Sequence, residues 1–297
     1  MRSILRLNAF HTAFPVILTL TTCLLLGTSA CSNTPKSKTE AEEKEEMSQK
    51  SPDSLSAQAS DSTETAKKPF EVKTVRSEKK TKAYECDVEI DYPVSGEEVL
   101  LAGARRMILE HFGIKGKTDG NDPQGIANKA LARSIKNLEI SQDDLDDPDN
   151  GLSAVYTESN SVKMKYLTDK FVTFGLSGYT YTGGAHGMSY QTYKTVNAKT
   201  GKVMEWNDIF APSVRTKLKA LVRKAIVKQY YDGNDPALDV LSPFDLPENA
   251  PSFTPKGIHF IYSLYEIDCY AAGMPECEIP YSVIKPLMTE SAGTLIP

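Results

Sequence analysis

The chain has 297 residues, with 34 Lys or Arg against 39 Asp or Glu, and its formal net charge is -5 at pH 7. This acidic balance lacks the basic surface that general nucleic-acid binders need, and a hydrophobic content of 40% with 25% charged residues excludes a protein built from many membrane spans. With only 5 cysteines, the chain is not a disulfide-dense scaffold either.

The first thirty residues have the pattern of an export signal. Arg2 and Arg6 precede an apolar run over 13–26, which at about 14 residues is too short to span a bilayer core of about 30 Å as a helix. Small residues then lead to Cys31. We predict a lipoprotein signal peptide over 1–30, with Cys31 as the lipidated first residue of the mature protein. Ordinary cleavage without a lipid is the alternative.

The predicted location is therefore outside the cytoplasm, lipid-anchored to the bacterial cell envelope on its periplasmic or outer face. Residues 31–75 are rich in Ser, Thr, Glu and Lys and nearly devoid of large apolar side chains. Such a segment buries too little apolar surface to offset the entropy of ordering it. We predict a disordered polar tether over 31–75.

An amino-terminal α+β subdomain is predicted over 76–150. Alternating apolar residues indicate a strand from about Tyr84 to Tyr92. Ser95 and Glu98 have the spacing of a capping box at the start of a helix, which Gly113 would end. Asp122 followed by Pro123 predicts the start of a second helix.

A carboxy-terminal α+β domain is predicted over 151–297. Segments rich in β-branched and aromatic residues, separated by turn sequences, predict an antiparallel sheet; they are 162–167, 170–182, 188–196 and 258–267. A helix is expected over about 214–231. The predicted fold class is α+β, an antiparallel sheet with helices packed on one face, in two closely associated subdomains.

Three cysteines remain once Cys23 and Cys31 are set aside, so at most one intramolecular disulfide can form. Cys269 and Cys277 flank Gly273 symmetrically and would lie opposite each other in a hairpin, which makes them the candidate pair. Cys86 is an alternative partner, or a buried free thiol.

The candidate binding residues surround a glycine-rich turn between two predicted strands. Gly183, Gly184 and Gly187 allow a tight turn with positive φ, and His186 lies at its tip. This GGAHG turn (residues 183–187) leads into a strand, so it is not a phosphate-binding loop. Four tyrosines near the turn complete the candidate set: Tyr179, Tyr181, Tyr190 and Tyr193.

The role of these side chains stays open at the level of sequence. His186 would hold the turn by local hydrogen bonds, contact a ligand, or act in catalysis. The tyrosines suit glycan stacking or a protein interface, but they are also good strand residues. The histidines form no HExxH pair, and the acidic segment 143–151 lacks the ligands of a calcium loop, so we predict no metal and no cofactor.

The stretch 181–210, YTGGAHGMSYQTYKTVNAKTGKVMEWNDIF, resembles the extracytoplasmic domain shared by the RsiV-type anti-sigma factor, a lysozyme receptor, and the PdaC-type peptidoglycan deacetylase. The segment 253–288 is similar to the closing strand, Ala-Ala-Gly turn and Pro-Tyr helix start of this family, and 84–138 to its preceding helical region. The resemblance implies recognition at the cell wall, of a glycan or of a lysozyme-like protein.

Neither named activity is expected to transfer. Anti-sigma members need a spanning helix, and deacetylase members carry a catalytic domain for which 76–297 leaves no room. We therefore predict a non-enzymatic, lipid-anchored envelope binding protein with no catalytic residue. The alternatives are a peptidoglycan-modifying hydrolase or deacetylase-like enzyme centred on the GGAHG turn, and a scaffold lipoprotein. The sequence predicts no oligomeric state.

Overall fold

A computed structural model describes residues 68–115, 120–138, 155–234, 238–239 and 243–296. The predicted signal peptide, Cys31, most of the predicted tether and the acidic segment 143–151 lie outside the described residues. Strand structure begins at Glu71, a few residues before the predicted end of the tether at 75.

Five strands form the larger sheet, in the order β1-β2-β3-β4-β5. They are β1 (Glu71–Lys80), β2 (Tyr84–Ser95), β3 (Tyr156–Leu167), β4 (Phe171–Tyr181) and β5 (Met188–Asn197). Three of the four pairs are antiparallel, and β2 and β3 are parallel.

The parallel pair corrects the prediction of a purely antiparallel sheet. Two described helices lie between β2 and β3 in the chain, α1 (Glu98–His111) and α2 (Pro123–Asn137). When helices carry the chain back to the end of the sheet where the first strand began, the next strand runs in the same direction and the two strands pair in parallel. A short turn instead joins two antiparallel strands. The individual strand patterns carry no information about this direction.

Both helices pack on one face of the larger sheet, as predicted. Their apolar sides share a core with alternate residues of the central strands; its fully buried members include Val88, Ile90, Ala104, Ile108, Ala127, Val162, Phe174 and Leu176. The alternation points the other strand side chains to the opposite face, which α1 and α2 do not cover and which we call the helix-free face.

The helix ends were predicted in part. Gly113 has φ +60° just after α1, and the Asp122 carboxylate accepts a hydrogen bond from the Gly125 amide at 2.9 Å at the start of α2. The Ser95 capping box was wrong: Ser95 is the last residue of β2 and donates its hydroxyl proton to the Pro69 carbonyl at 3.0 Å. Glu97 takes the N-cap position without a side-chain cap.

A second, three-stranded sheet follows, in the order β6-β7-β8. Its strands are β6 (Ser252–Phe253), β7 (Gly257–Ile261) and β8 (Glu276–Pro280). The helices of this part are α3 (Trp206–Ile209), α4 (Arg215–Gln229), α5 (Tyr281–Ile284) and α6 (Glu290–Gly293). They enclose a second core around Leu218, Val222, Phe253, Phe260 and Ile284, all fully buried.

β7 is shorter than the predicted strand over 258–267. It ends at Ile261, and Tyr265 has φ +66°, a left-handed conformation that interrupts an extended chain. The segment between β7 and β8, residues 262–275, is therefore a connection rather than a strand.

The two sheets are joined through a buried hydroxyl pair. The Oγ1 atoms of Thr173 and Thr195 lie 2.8 Å apart on the helix-free face of the larger sheet. Thr173 donates to the Phe253 carbonyl at 2.8 Å, and Thr195 accepts from the Phe253 amide at 2.9 Å. The α+β class with two associated sheets and cores thus agrees with the sequence prediction.

Candidate binding groove

The GGAHG turn joins β4 to β5, and its conformation depends on glycine. Gly183 and Gly184 have φ +96° and +89°, values that side chains strongly disfavour. The Tyr181 hydroxyl donates to the Gly184 carbonyl at 2.9 Å and closes the loop. Tyr181 thus supports the turn from the last position of β4.

His186 is exposed at the tip of the turn and is held by two aromatic residues. Its ring stacks on Tyr270, with centroids 4.0 Å apart and an interplanar angle of 24°. Its Nδ1 lies 3.0 Å from the Gly187 carbonyl, so Nδ1 carries the proton. Nε2 then accepts from the Tyr265 hydroxyl at 3.4 Å. Both ring nitrogens are therefore engaged within the protein.

The turn borders a groove on the helix-free face of the larger sheet. Strand register places two rows of polar side chains side by side across β2, β3, β4 and β5. One row is Asp87, Ser159, Tyr179 and Ser189, and the other is Glu89, Ser161, Ser177 and Gln191. These residues and Met274, from the connection 262–275, line a cavity of about 320 Å³. We call them the sheet groove.

Short side chains make the floor of the sheet groove low and rich in hydroxyls. Serine occurs at four of the eight floor positions, and each hydroxyl can both donate and accept a hydrogen bond. Tyr179 rises beside them, 36% exposed, and packs at Gly187, where a Cβ would lie 2.3 Å from its hydroxyl oxygen. Glycine at 187 is therefore required for the ring to occupy this place.

The two carboxylates of the sheet groove differ in their surroundings. Glu89 forms ion pairs with Lys163 and Arg76, and the hydrogen bond from Lys163 lowers the pKa of Glu89. Desolvation, followed by the nearby charges of Glu78 and Glu89, raises the pKa of Asp87. Asp87 makes no ion pair with another described residue, so its carboxylate is the one available to a ligand.

The structure separates the predicted tyrosines. Tyr179 and Tyr181 lie at the turn end of β4, but Tyr190 projects to the helix-covered face, where its hydroxyl contacts His111 and Asn160. Tyr193 lies farther along the helix-free face against His259, with centroids 4.8 Å apart and the rings at 88°. Gln191 donates a hydrogen bond to the Tyr193 hydroxyl.

Three residues of the site were missed by the sequence analysis. Tyr265, Tyr270 and Met274 come from the connection 262–275, which the sequence assigned to a strand and a hairpin. Tyr270 donates its hydroxyl proton to the Gly187 carbonyl at 2.8 Å, and Tyr265 is 47% exposed. The aromatic residues of this segment were the available signal, but its docking on the GGAHG turn is a tertiary contact.

The three cysteines within the described residues, Cys86, Cys269 and Cys277, are free thiols. Cys277 is buried opposite Phe260 in the β7–β8 pair, and Cys269 is exposed in the connection. The candidate bond assumed a hairpin centred on Gly273, whereas the actual strand partner of residue 277 is residue 260. Cys86 is buried in β2, and desolvation raises its pKa to about 11.

No cluster of three or more metal-ligating side chains occurs within residues 68–296 as far as they are described. Among the described helices, none is long and apolar enough to cross a bilayer.

The fold and the groove define an α+β domain pair whose larger sheet carries a polar site at its open face. Residues 77–189 match the family described as Deacetylase PdaC, and residues 207–282 match the family described as Protein of unknown function (DUF3298). These two matches confirm the sequence resemblance at the level of the two domains. The likeness to RsiV-type proteins in particular stays a prediction.

Two solved structures have the same fold. A DUF3298 family member from Bacteroides fragilis NCTC 9343 aligns with a TM-score of 0.60 at 19% identity, over 75% of this chain and 94% of that chain. A DUF3298 family protein from Pseudomonas aeruginosa PAO1 aligns with a TM-score of 0.50 at 20% identity, over 77% and 96%. At these identities the likeness is one of fold alone. A search of curated proteins found no match.

Proposed function

We propose that this chain is a lipid-anchored binding protein of the bacterial envelope that recognises a cell-wall glycan through the sheet groove. The observation that carries the proposal is the combination of a hydroxyl-rich floor with the exposed ring of Tyr179 in the groove and that of Tyr265 against His186 of the adjoining turn. Sugar rings present C–H faces that pack on aromatic side chains and hydroxyl groups that hydrogen-bond to Ser, Gln and carboxylates. The matches to the PdaC and DUF3298 families support a location in the cell envelope.

Tyr179 and Tyr265 are the residues expected to contact the glycan. Each is exposed, and each is positioned by the GGAHG turn, through Gly187 and His186 respectively. His186 in this proposal orients Tyr265 and Tyr270 rather than reacting, because both of its nitrogens already have partners. Binding rather than catalysis is therefore the proposed activity.

A lysozyme-like protein is the second candidate ligand. Exposed tyrosine and methionine side chains at one edge are typical of protein interfaces, and this edge carries Tyr179, Met188 and Tyr265 at 36%, 44% and 47% exposure. The acidic net charge of -5 would favour a basic partner.

The test is calorimetry of the mature chain with muropeptides, chito-oligosaccharides and lysozyme. We expect glycan binding that weakens about tenfold or more in Tyr179→Ala and in Tyr265→Ala, the range for losing a stacked aromatic contact. Tyr166→Ala is the matched control, since Tyr166 is 37% exposed on the same sheet outside the groove. Absence of binding to all three ligands would remove the proposal, and binding of lysozyme alone would select the second candidate.

The enzyme alternative has its own discriminating variant. Turnover of peptidoglycan fragments by the wild-type chain, abolished in His186→Ala, would replace binding with catalysis at the GGAHG turn. The lipid anchor is tested by Cys31→Ala, which should move the protein from the membrane fraction to the soluble exported fraction. Retention in the membrane would contradict anchoring through Cys31.

A further inference from the structure

A second cleft, of about 390 Å³, opens on the helix-covered side of the larger sheet. It lies where the ends of α1 and α2 meet the starts of β3 and β5. We call it the rear cleft; its polar lining comprises Glu110, His111, Arg133, Ser134, Asn137, Glu158, Asn160 and Tyr190. Its volume falls in the range of small-molecule sites.

The base of the rear cleft is a buried hydrogen-bond network. Ser134, Glu158 and Asn160 are only 2%, 7% and 8% exposed. The Asn160 Nδ2 atom donates to Ser134 Oγ at 2.9 Å and to Glu158 Oε1 at 3.0 Å. The Tyr190 hydroxyl donates to Asn160 Oδ1 at 2.7 Å, so the His111 Nε2 atom, 3.2 Å away, donates to Tyr190. These contacts fix each side chain in place.

Glu158 is a buried carboxylate whose hydrogen-bond partner among the described residues is a neutral amide. It forms no ion pair with a described residue. His111 supplies no charge at neutral pH, because desolvation, with Lys194 as a lesser cause, lowers its pKa to about 4. Burying a carboxylate without an opposite charge is costly, so an incoming cation would be stabilised strongly at this point.

Arg133 supplies the opposite charge at the mouth of the rear cleft. Its side chain is exposed on α2, and its Nη2 atom lies 2.9 Å from where a Cβ would stand at Gly113. It forms no ion pair with a described residue. A guanidinium presents paired donors that match the two oxygens of a carboxylate.

We propose that the rear cleft binds a small zwitterion, an amino acid or a dipeptide. The ammonium group contacts Glu158 at the base, and the carboxylate contacts Arg133 at the mouth. Each end of such a ligand neutralises a charge that the described protein leaves unpaired. This site lies on the opposite face of the sheet from Tyr179 and does not depend on the glycan proposal.

Calorimetry of the mature chain with dialanine tests the proposal, with methylammonium and acetate as single-charge probes. We expect dialanine to bind at least tenfold more tightly than either single-charge probe, because only dialanine contacts both groups. Equal binding of methylammonium and dialanine would overturn the zwitterion, as would failure of dialanine to bind.

Variants separate the two contacts. Arg133→Gln and Glu158→Gln should each weaken dialanine binding about tenfold, whereas Lys136→Gln, an exposed position of the same helix outside the cleft, should leave it unchanged. Arg133 is on the surface, so its variant is expected to fold even if Glu158→Gln does not. Unchanged affinity in Arg133→Gln would overturn the proposal, and muropeptide binding through the sheet groove should persist in it.

Discussion

At the scale of single residues, His111 links stability to pH. Its pKa falls from 6.5 to about 4 in the folded protein because burial disfavours the imidazolium. The unfolded chain binds the proton near pH 6.5, so between pH 6.5 and 4 the unfolded state carries more protons. The contribution of neutral His111 to the free energy of unfolding is therefore complete above pH 6.5 and is lost as the pH falls towards 4.

We expect this loss to be about 2–3 kcal/mol between pH 7 and pH 4. Urea unfolding of the wild type and of His111→Gln at several pH values isolates it, since the titration of carboxylates is common to both chains. The difference between the two free energies of unfolding should decline with falling pH. A difference that stays constant from pH 7 to pH 4 would show that His111 titrates normally in the folded state.

The candidate residues show which features of the site could be predicted from the sequence. The glycines predicted a turn, and Gly183 and Gly184 do have positive φ. The sequence also showed the cluster of tyrosines. It did not show which tyrosines share a face, because successive residues of a strand point to opposite faces of the sheet. The pairing of Gly178 with Tyr190 and of Tyr179 with Ser189 sends Tyr190 to the helices and Tyr179 to the sheet groove. That register depends on the turn geometry, which residue types alone do not specify.

At the scale of elements, a close backbone approach attaches α1 to the turn after β5. A Cβ at Gly103 would lie 2.2 Å from the Gly201 carbonyl oxygen, and one at Gly201 would lie 2.4 Å from the Val99 carbonyl oxygen. The Arg106 Nη2 atom donates to the same Gly201 carbonyl at 2.8 Å. This contact explains why residue 201, in the turn NAKTGK (residues 197–202), is a glycine.

Gly103→Ala should therefore destabilise the protein by about 2–3 kcal/mol or more, because a methyl group has no room between α1 and the turn. Gly293→Ala is the control: a Cβ at residue 293 would have no atom within 4 Å, so this substitution should be close to neutral. Denaturant unfolding measures both. Equal stability of the two variants would mean that α1 shifts away from the turn at little cost.

At the scale of the whole molecule, the two cores are coupled through the buried threonine pair. We expect one cooperative unfolding transition and a loss of about 1–3 kcal/mol in Thr195→Val, because the valine leaves the Phe253 amide without its acceptor. Thr192→Val, on the same strand, has no such contact among the described residues and serves as the control. Calorimetry that resolves two separate transitions in the wild type would contradict the coupling.

The sequence predicted the fold class, both major helices of the first subdomain and the strands around the GGAHG turn. Each of these helices and strands has a clear period of apolar residues along the chain. The parallel pairing of β2 with β3 was not predictable, since it depends on the helical crossover between these strands. The connection 262–275 was also misread. Its apolar and aromatic residues resemble a strand, but they dock on the GGAHG turn and on Tyr230, which donates to the Ala272 carbonyl at 2.6 Å.

The place of β1 at the border of the larger sheet has a consequence for association between molecules. One side of β1 pairs with β2, and its other backbone edge is not paired within the sheet. An open edge invites a strand from another chain, which is the usual start of aggregation. The edge strand is dense in charged side chains, namely Glu71, Lys73, Arg76, Glu78, Lys79 and Lys80. A neighbouring strand would have to desolvate these charges to pair, so β1 protects the protein against edge-to-edge self-association.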